Sequence, residues 1–175
     1  MSGLTALVIG ATGATGTELV KQLMDDNRYT SVVVFSRRPL DFTHTKLTCH
    51  IVDFDNPQAW AHLVKGDVLF SALATTLKQA GSQKEQYKID YTYQYQTAAI
   101  AAANGVAKYV LVSAMGANAK SWLFYPRIKG ELDNAARGLP FKQIHIFRPG
   151  FLLRQPDKIR PMEKLGIAII QFFNK

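Results

Sequence analysis

The 175-residue sequence predicts a doubly wound α/β domain, a mostly parallel sheet with helices on both faces. Two observations carry that prediction. Short β-branched runs alternate with longer helical patterns along the chain, the order that sets parallel strands side by side through helical crossovers. The first run, Leu4 to Ile9, is apolar without interruption until glycines break it, as a strand buried on both faces requires.

Each later element follows from the same rhythm. After the glycines, Thr17 to Met24 has the spacing of an amphipathic helix. Ser31 to Phe35 reads as a second buried strand and Leu47 to Val52 as a third. Pro57 to Val64 reads as a short helix, with Asn56 as N-cap and Pro57 at the first helical position. Asp67 to Ala72 is a fourth strand, and Ser82 to Asn104 a long alanine-rich helix that Gly105 ends. Lys108 to Ser113 gives a fifth strand, Pro126 to Ala136 a helix closing near Gly138, and Phe141 to Phe147 a sixth strand. With no repeat, low-complexity tract or Pro/Ser-rich linker, residues 1–175 are expected to form one domain.

The bulk numbers are those of an ordinary globular chain, 47% apolar and 19% charged. Cys49 is the only cysteine, so no internal disulfide can form, and a reducing cytoplasmic location is expected. No secretory pattern opens the chain, and the apolar stretch Ile167 to Phe173, broken by Gln171, is too short to span a bilayer. No membrane association is therefore expected. Lys plus Arg exceed Asp plus Glu by 21 to 13, a net charge of +8. That balance suits solubility, a phosphorylated ligand, nucleic acid or an anionic surface. The basic residues are scattered, with Arg37-Arg38 the only tight pair before the C-terminal segment, and no nucleic-acid-binding pattern is present. No nucleic-acid partner is expected. His44, His50, His62 and His145 lack metal-ligand spacing, so no metal is expected either.

Chemistry enters at Gly10-Ala-Thr-Gly13-Ala-Thr-Gly16, where the first strand meets the first helix. Glycines there allow a tight turn, close approach of backbone to a pyrophosphate, and close packing of helix on strand. The helix then offers free N–H groups and the positive end of its dipole. This is the signature of a dinucleotide-binding Rossmann fold. About twenty residues on, where an acid would hold the ribose 2′-hydroxyl of NAD, the chain reads Phe35-Ser36-Arg37-Arg38-Pro39. A carboxylate would repel a 2′-phosphate, whereas guanidinium groups pair with it. NADPH or NADP is therefore expected over NADH, although two arginines on a turn also read as plain solvated surface. Asp53, ending the third strand, reads equally as acceptor for the adenine amino group and as a strand-end cap.

Ser113 ends the fifth strand, Tyr125 follows twelve residues later, and Lys129 stands one helical turn beyond it. A lysine ammonium would lower the phenol pKa towards a useful range, and a serine hydroxyl can polarise a substrate carbonyl. These three are the candidate catalytic residues.

The glycine loop, the Ser113…Tyr125-Pro-Arg-Ile-Lys129 pattern and Phe147-Arg148-Pro149-Gly150 resemble the short-chain dehydrogenase/reductase superfamily. Within it the chain resembles the atypical NADPH-binding branch typified by the Tat-interacting oxidoreductase. The matching phrases are Ser36-Arg37-Arg38, Val52-Asp53-Phe54, Thr75-Thr76 with Lys78 and Ala80-Gly81, and Lys129-Gly130-Glu131. The resemblance implies that Gly10, Thr12, Gly13, Thr15 and Gly16 line the pyrophosphate. It gives Arg37 the 2′-phosphate with Arg38 assisting, sets Ala74 and Thr75 beside the cofactor, and brings Pro149 to Phe151 near the nicotinamide. Lys129 then also serves the cofactor's ribose hydroxyls.

Two features depart from that pattern. No asparagine stands in the middle of the long helix to support a proton relay, and Gln83, Gln86 and Asn104 are not clear substitutes. Pro126 biases Tyr125 away from helical geometry, so Tyr125 is expected at the N-terminal edge of its helix. The leading expectation is an NADPH-dependent reductase of a small carbonyl substrate. The alternative is a non-catalytic NADPH-binding sensor acting through a protein partner. Tyr87, Tyr91 and Tyr95 recur every four residues as a core or subunit-contact stripe. The apolar pattern Leu165 to Phe173 leaves room for a homodimer, a protein partner or a C-terminal extension to cover it.

Overall fold

The computed structural model describes residues 3–150. Its six strands are β1 (Leu4–Ile9), β2 (Tyr29–Ser36), β3 (Leu47–Ile51), β4 (Val68–Ser71), β5 (Lys108–Val112) and β6 (Gln143–Phe147). They form one sheet in the order β3-β2-β1-β4-β5-β6, and each of the five neighbouring pairs is parallel. This is the doubly wound order of the Rossmann fold, reversing direction between β1 and β4. Because every ladder is parallel, all six strands end at the same edge of the sheet. The candidate residues follow those ends: the glycine turn after β1, Ser36-Arg37-Arg38 at β2, Asp53 after β3, Ala74-Thr75 after β4, Ser113 after β5 and Pro149 after β6.

The core divides across the two faces of the sheet with the strand period of two. Leu7 and Ile9 of β1 join Phe35, Leu69, Tyr109 and Leu111 on one face, covered by Ala98, Ala101 and Leu132. Ala6 and Val8 join Val32 and Val34 on the other face, under Val20, Leu23 and Met24. The first helix, α1 (Ala14–Asp25), thus packs opposite α4 (Tyr93–Ala103) and α5 (Phe124–Arg137).

Two expectations give way. The helix expected over residues 57–64 is two 3₁₀ turns, Pro57–Ala59 and Ala61–Leu63. Asn56 makes no side-chain cap, and Trp60 breaks the run with φ −120° and ψ 5°. Its indole Nε1 donates to the Asp53 carbonyl at 2.9 Å, and its ring stacks on Phe35 at 5.1 Å. Burial of that ring outweighs helix propensity. The single helix expected over residues 82–104 is segmented: α3 (Gln83–Tyr87), a π-helical turn (Lys88–Thr92), then α4. A short helix not foreseen, α2 (Leu77–Ala80), precedes it, capped by the Thr76 side chain and closed by Gly81 at φ +82°.

Candidate active site at the carboxyl edge of the sheet

The turn after β1 is built by close backbone approach. Gly10 has φ +86°, and a Cβ there would lie 2.4 Å from the Ala72 backbone. A Cβ on Gly16 would lie 2.1 Å from the Gly10 carbonyl oxygen, so only glycine lets α1 start this close to β1. Gly13 N–H donates to Gly10 O at 3.0 Å, which closes the turn. Gly13 caps α1 without a side-chain hydrogen bond, and the first turn holds no acidic residue. The N–H groups of a twelve-residue helix therefore open, with its positive dipole end, beside the exposed Thr12 and Gly13 and the half-buried Thr15. This geometry suits a pyrophosphate.

At the end of β2, Ser36 is buried and its Oγ accepts from Arg38 N–H at 3.4 Å. Arg37 and Arg38 follow it into solvent, free to meet an anion. Asp53 is exposed, and its Oδ1 accepts from Asp55 N–H at 2.9 Å, so the cap reading has a hydrogen bond behind it. Ala74 is exposed and Thr75 half-buried in the loop after β4, across the topological switch from the glycine turn.

The chemical end is made of side chains. Ser113 is buried just beyond β5, and its Oγ has no hydrogen-bond partner among the described residues. The loops after β5 and β6 are zipped together, Ser113 N–H donating to Phe147 O at 2.7 Å and Met115 N–H to Pro149 O at 3.0 Å. That brings Pro149 alongside the serine. Tyr125 lies in the first turn of α5, as expected, 39% exposed. Lys129, one turn on, is 1% exposed, and its Nζ donates to the Val112 carbonyl at 3.4 Å. The segment Asn118-Ala119 is pressed against α5 at Gly130, where a Cβ would lie 2.1 Å from Ala119 N. Asn118 N–H donates to the Pro126 carbonyl at 2.9 Å in the same contact.

The expected acidification of the phenol is corrected. Burial, and then the negative charge of Asp90, push the Tyr125 hydroxyl up to about 12. Burial likewise pulls Lys129 below the ordinary lysine value, against the pull of Asp90 and Asp133 in the other direction. Lys129 is not among the groups that set the Tyr125 hydroxyl, so the ammonium does not dominate the phenol.

The carboxylate of Asp90 is the residue that sequence reasoning missed. It sits on the π-helical turn, fully buried, with Oδ2 accepting from Thr75 N–H at 3.3 Å. Burial pushes its carboxyl up to about 6, opposed by Lys129, the Thr75 N–H and the Gln86 amide. A signal was present: Gln86, Asp90, Gln94 and Thr97 recur at helical spacing and are all buried, a polar stripe facing inward. Gln94 ties the turn to β4, its Nε2 donating to Asp90 O at 2.7 Å and its Oε1 accepting from Ser71 Oγ at 2.7 Å. Beside the stripe, Tyr87, Tyr91 and Tyr95 stack at centroid spacings of 4.9 Å and 5.9 Å, half-buried as a packing ladder. The expected approach of Phe151 to the nicotinamide and the apolar pattern at Leu165 to Phe173 lie outside the described residues.

Comparison with known proteins agrees with this fold and with a cofactor-binding family. A model of the NAD(P)H-binding family matches residues 10–137. Protein FMP52, mitochondrial, of Candida glabrata is 40% identical over 157 residues, 87% of this chain and 66% of that protein. Protein HTATIP2 of Rattus norvegicus is 32% identical over 170 residues, 95% of this chain and 70% of that protein. The chain thus spans about two thirds of the length of such relatives. Among solved structures, the Bordetella bronchiseptica enzyme WbmG in complex with NAD superposes with TM-score 0.76 at 11% identity, covering 97% of this chain and 60% of that one. MoeE5 in complex with UDP-glucose and NAD gives TM-score 0.68 at 19% identity, covering 82% and 53%. Both likenesses concern the fold.

One expectation is overturned by these relatives. The cytoplasmic location inferred from the lone Cys49 is contradicted by FMP52 proteins of several yeasts, each named as mitochondrial. A lone thiol indicates only a reducing environment, which the interior of an organelle also provides. With the doubly wound sheet, the glycine turn at the head of α1 and a family match over residues 10–137, the chain belongs to the NAD(P)H-binding family, in its atypical short-chain dehydrogenase/reductase branch.

Proposed function

We propose that this chain is an NADPH-dependent oxidoreductase that reduces a small carbonyl substrate at the carboxyl edge of its sheet. One observation supports the reading: Lys129 Nζ reaches the Val112 carbonyl at the end of β5, next to the buried Ser113, with Tyr125 one turn earlier on α5, and the glycine turn and arginine pair follow strands that end at the same edge. The cradle fits the cofactor, because Gly10 and Gly16 clear the backbone and α1 opens with uncapped N–H groups. Arg37 and Arg38 supply the charge for a 2′-phosphate, and no acid at that position opposes it. When bound, the nicotinamide supplies the hydride.

The chain's own residues supply the rest. Ser113 Oγ, buried and with its hydrogen-bonding capacity unused, holds the substrate carbonyl oxygen. Tyr125 gives that oxygen its proton. A phenol pushed up to about 12 keeps its proton at neutral pH, the form that can donate to a developing alkoxide. The mitochondrial names of the yeast relatives support a mitochondrial setting for the same activity.

The test is thermal unfolding at matched concentrations of NADPH and NADH, followed by a screen of small aldehydes and ketones. A ligand at a hundred times its dissociation constant adds about 2.7 kcal/mol. A clear shift with NADPH and a smaller one with NADH is expected, with Tyr125→Phe leaving the shift intact and abolishing turnover. Equal shifts would remove the arginine assignment. Retained turnover in Tyr125→Phe would remove the tyrosine from the mechanism, and NADPH binding with no substrate reduced would favour the sensor.

A further inference from the structure

The interior beside the site holds more charge than a packed core tolerates without a reason. Asp90, Lys129 and Asp133 are each buried to within 1% of full exclusion from solvent. Asp133 has its own partner, because Arg148 donates to Asp133 Oδ2 from both Nε and Nη2 at 2.8 Å. Lys129 has no such partner: its one hydrogen bond among the described residues is the 3.4 Å contact to Val112 O. Asp90 Oδ1 accepts no hydrogen bond at all among the described residues, although the atom is buried. A buried lysine on α5 and a buried carboxylate on the π-helical turn packed against it are thus each left without an ion-pair partner among the described residues. Burying ionisable groups without pairing them is costly, and such clusters concentrate at functional sites. A π-helical turn inside an α-helix is a frequent mark of a functional position.

Resting on the reductase reading above, we propose that Asp90 is a positioning residue of this site: its carboxylate, held on the π-helical turn, fixes the protonation of Lys129 and Tyr125 together. An ionised Asp90 holds Lys129 in its ammonium form and keeps the proton on the Tyr125 phenol, which sets the site for proton donation. The groups around it are few. Thr75 N–H faces it from the loop after β4, the Gln86 amide from α3, and Lys129 and Tyr125 from α5. Asp133 acts on Lys129 from the next turn of α5 and is itself held by Arg148. The carboxyl, pushed up to about 6 by burial, loses the charge that does this on acidification just below neutrality.

The experiment is a site-resolved titration of the cofactor-free protein, so it does not depend on NADPH binding or on a known substrate. Lysine labelled with ¹³C at Cε and tyrosine labelled at Cζ are followed by NMR from pH 5 to 12. The Lys129 and Tyr125 signals are identified by their disappearance in Lys129→Met and Tyr125→Phe. In the parent, both signals are expected to show a step near pH 6 as Asp90 ionises. In Asp90→Asn that step vanishes, and the midpoints of Lys129 and of Tyr125 both move down, the lysine by one pH unit or more. Asp133→Asn keeps the step, and Asp90→Glu restores it. A step that survives in Asp90→Asn, or midpoints that do not move, would overturn the proposal. If Asp90→Asn does not fold, the parent decides alone, since the absence of any step near pH 6 at Lys129 overturns it too. Failure of NADPH to bind would defeat the reductase reading and leave this result standing.

Discussion

The two halves of the sheet build their parts of the site from opposite materials. Around β1 to β3 the work is done by backbone and by charges left in water: glycines that lack a Cβ, uncapped N–H groups of α1, and two exposed arginines. Around β4 to β6 it is done by side chains that are expensive to bury, namely Ser113, Lys129, Asp133 and Asp90. Anion binding needs dipoles and approach, which a rigid turn provides at little cost. Proton transfer needs titratable groups whose surroundings are dry enough to set their proton affinity, which only burial provides. The halves should therefore respond differently to mutation, to pH and to charge removal.

The largest effect tests the one device they share. Gly16 and Gly130 each bring a helix against backbone so closely that a Cβ would lie 2.1 Å from a main-chain atom. Gly16→Ala and Gly130→Ala are each expected to cost about 2–4 kcal/mol, read as a melting temperature about 5–15 °C lower. The comparison sharpens if Gly16→Ala also weakens NADPH binding while Gly130→Ala, once cooled below its transition, binds normally. A Gly16→Ala protein as stable as the parent would mean the turn is looser than its geometry states.

pH separates the halves next. In the folded chain Asp90 holds a proton up to about pH 6, whereas the unfolded chain releases it near the ordinary aspartate value of 3.8. Between those limits the folded state binds more protons, so stability falls as pH rises through the window, by an amount of about 2–3 kcal/mol. Chemical unfolding of the parent and of Asp90→Asn at pH 4, 5, 6 and 7 should show this decline in the parent and a flatter line in the variant. Parallel lines would show that the buried charge is compensated in the unfolded chain or not buried at all. Arg148→Ala should act in the same half with less force, about 1–3 kcal/mol, because Asp133 is fully buried while Arg148 is 43% exposed and partly screened. Arg148→Lys should recover part of that loss, since a single ammonium replaces one arm of the fork.

The same contrast explains what could be read in advance. The six strands, their doubly wound order and the glycine turn were legible because each depends on local pattern: apolar runs, alternation and missing side chains. Ser113, Tyr125 and Lys129 were legible as a spacing. The state of their protons was not, because it depends on Asp90, thirty-nine residues before Lys129 and carried by a turn that helical spacing alone does not reveal. The 3₁₀ turns at residues 57–63 were missed for a related reason, since the pull of Trp60 onto Phe35 is a tertiary contact. Polar residues repeating at helical spacing inside an alanine-rich segment, as at Gln86, Asp90, Gln94 and Thr97, are the pattern that should prompt a search for buried charge.

The smallest effect probes the half that works in water. Arg37 is exposed, so its loss leaves no buried group unpaired, and Arg37→Ala should leave the melting temperature of the free protein within about 1–2 °C. What it should change is discrimination: NADPH affinity falls about tenfold, roughly 1.4 kcal/mol, while NADH affinity stays level. Adding salt should narrow the NADPH advantage of the parent and leave that of the variant nearly unmoved, because a solvent-exposed ion pair is screened and a buried one is not. Arg38→Ala should show the same pattern more weakly. If both cofactors weaken equally in Arg37→Ala, the arginine acts on the shared part of the dinucleotide, and the preference for NADPH would have to reside elsewhere on the β1–β3 edge.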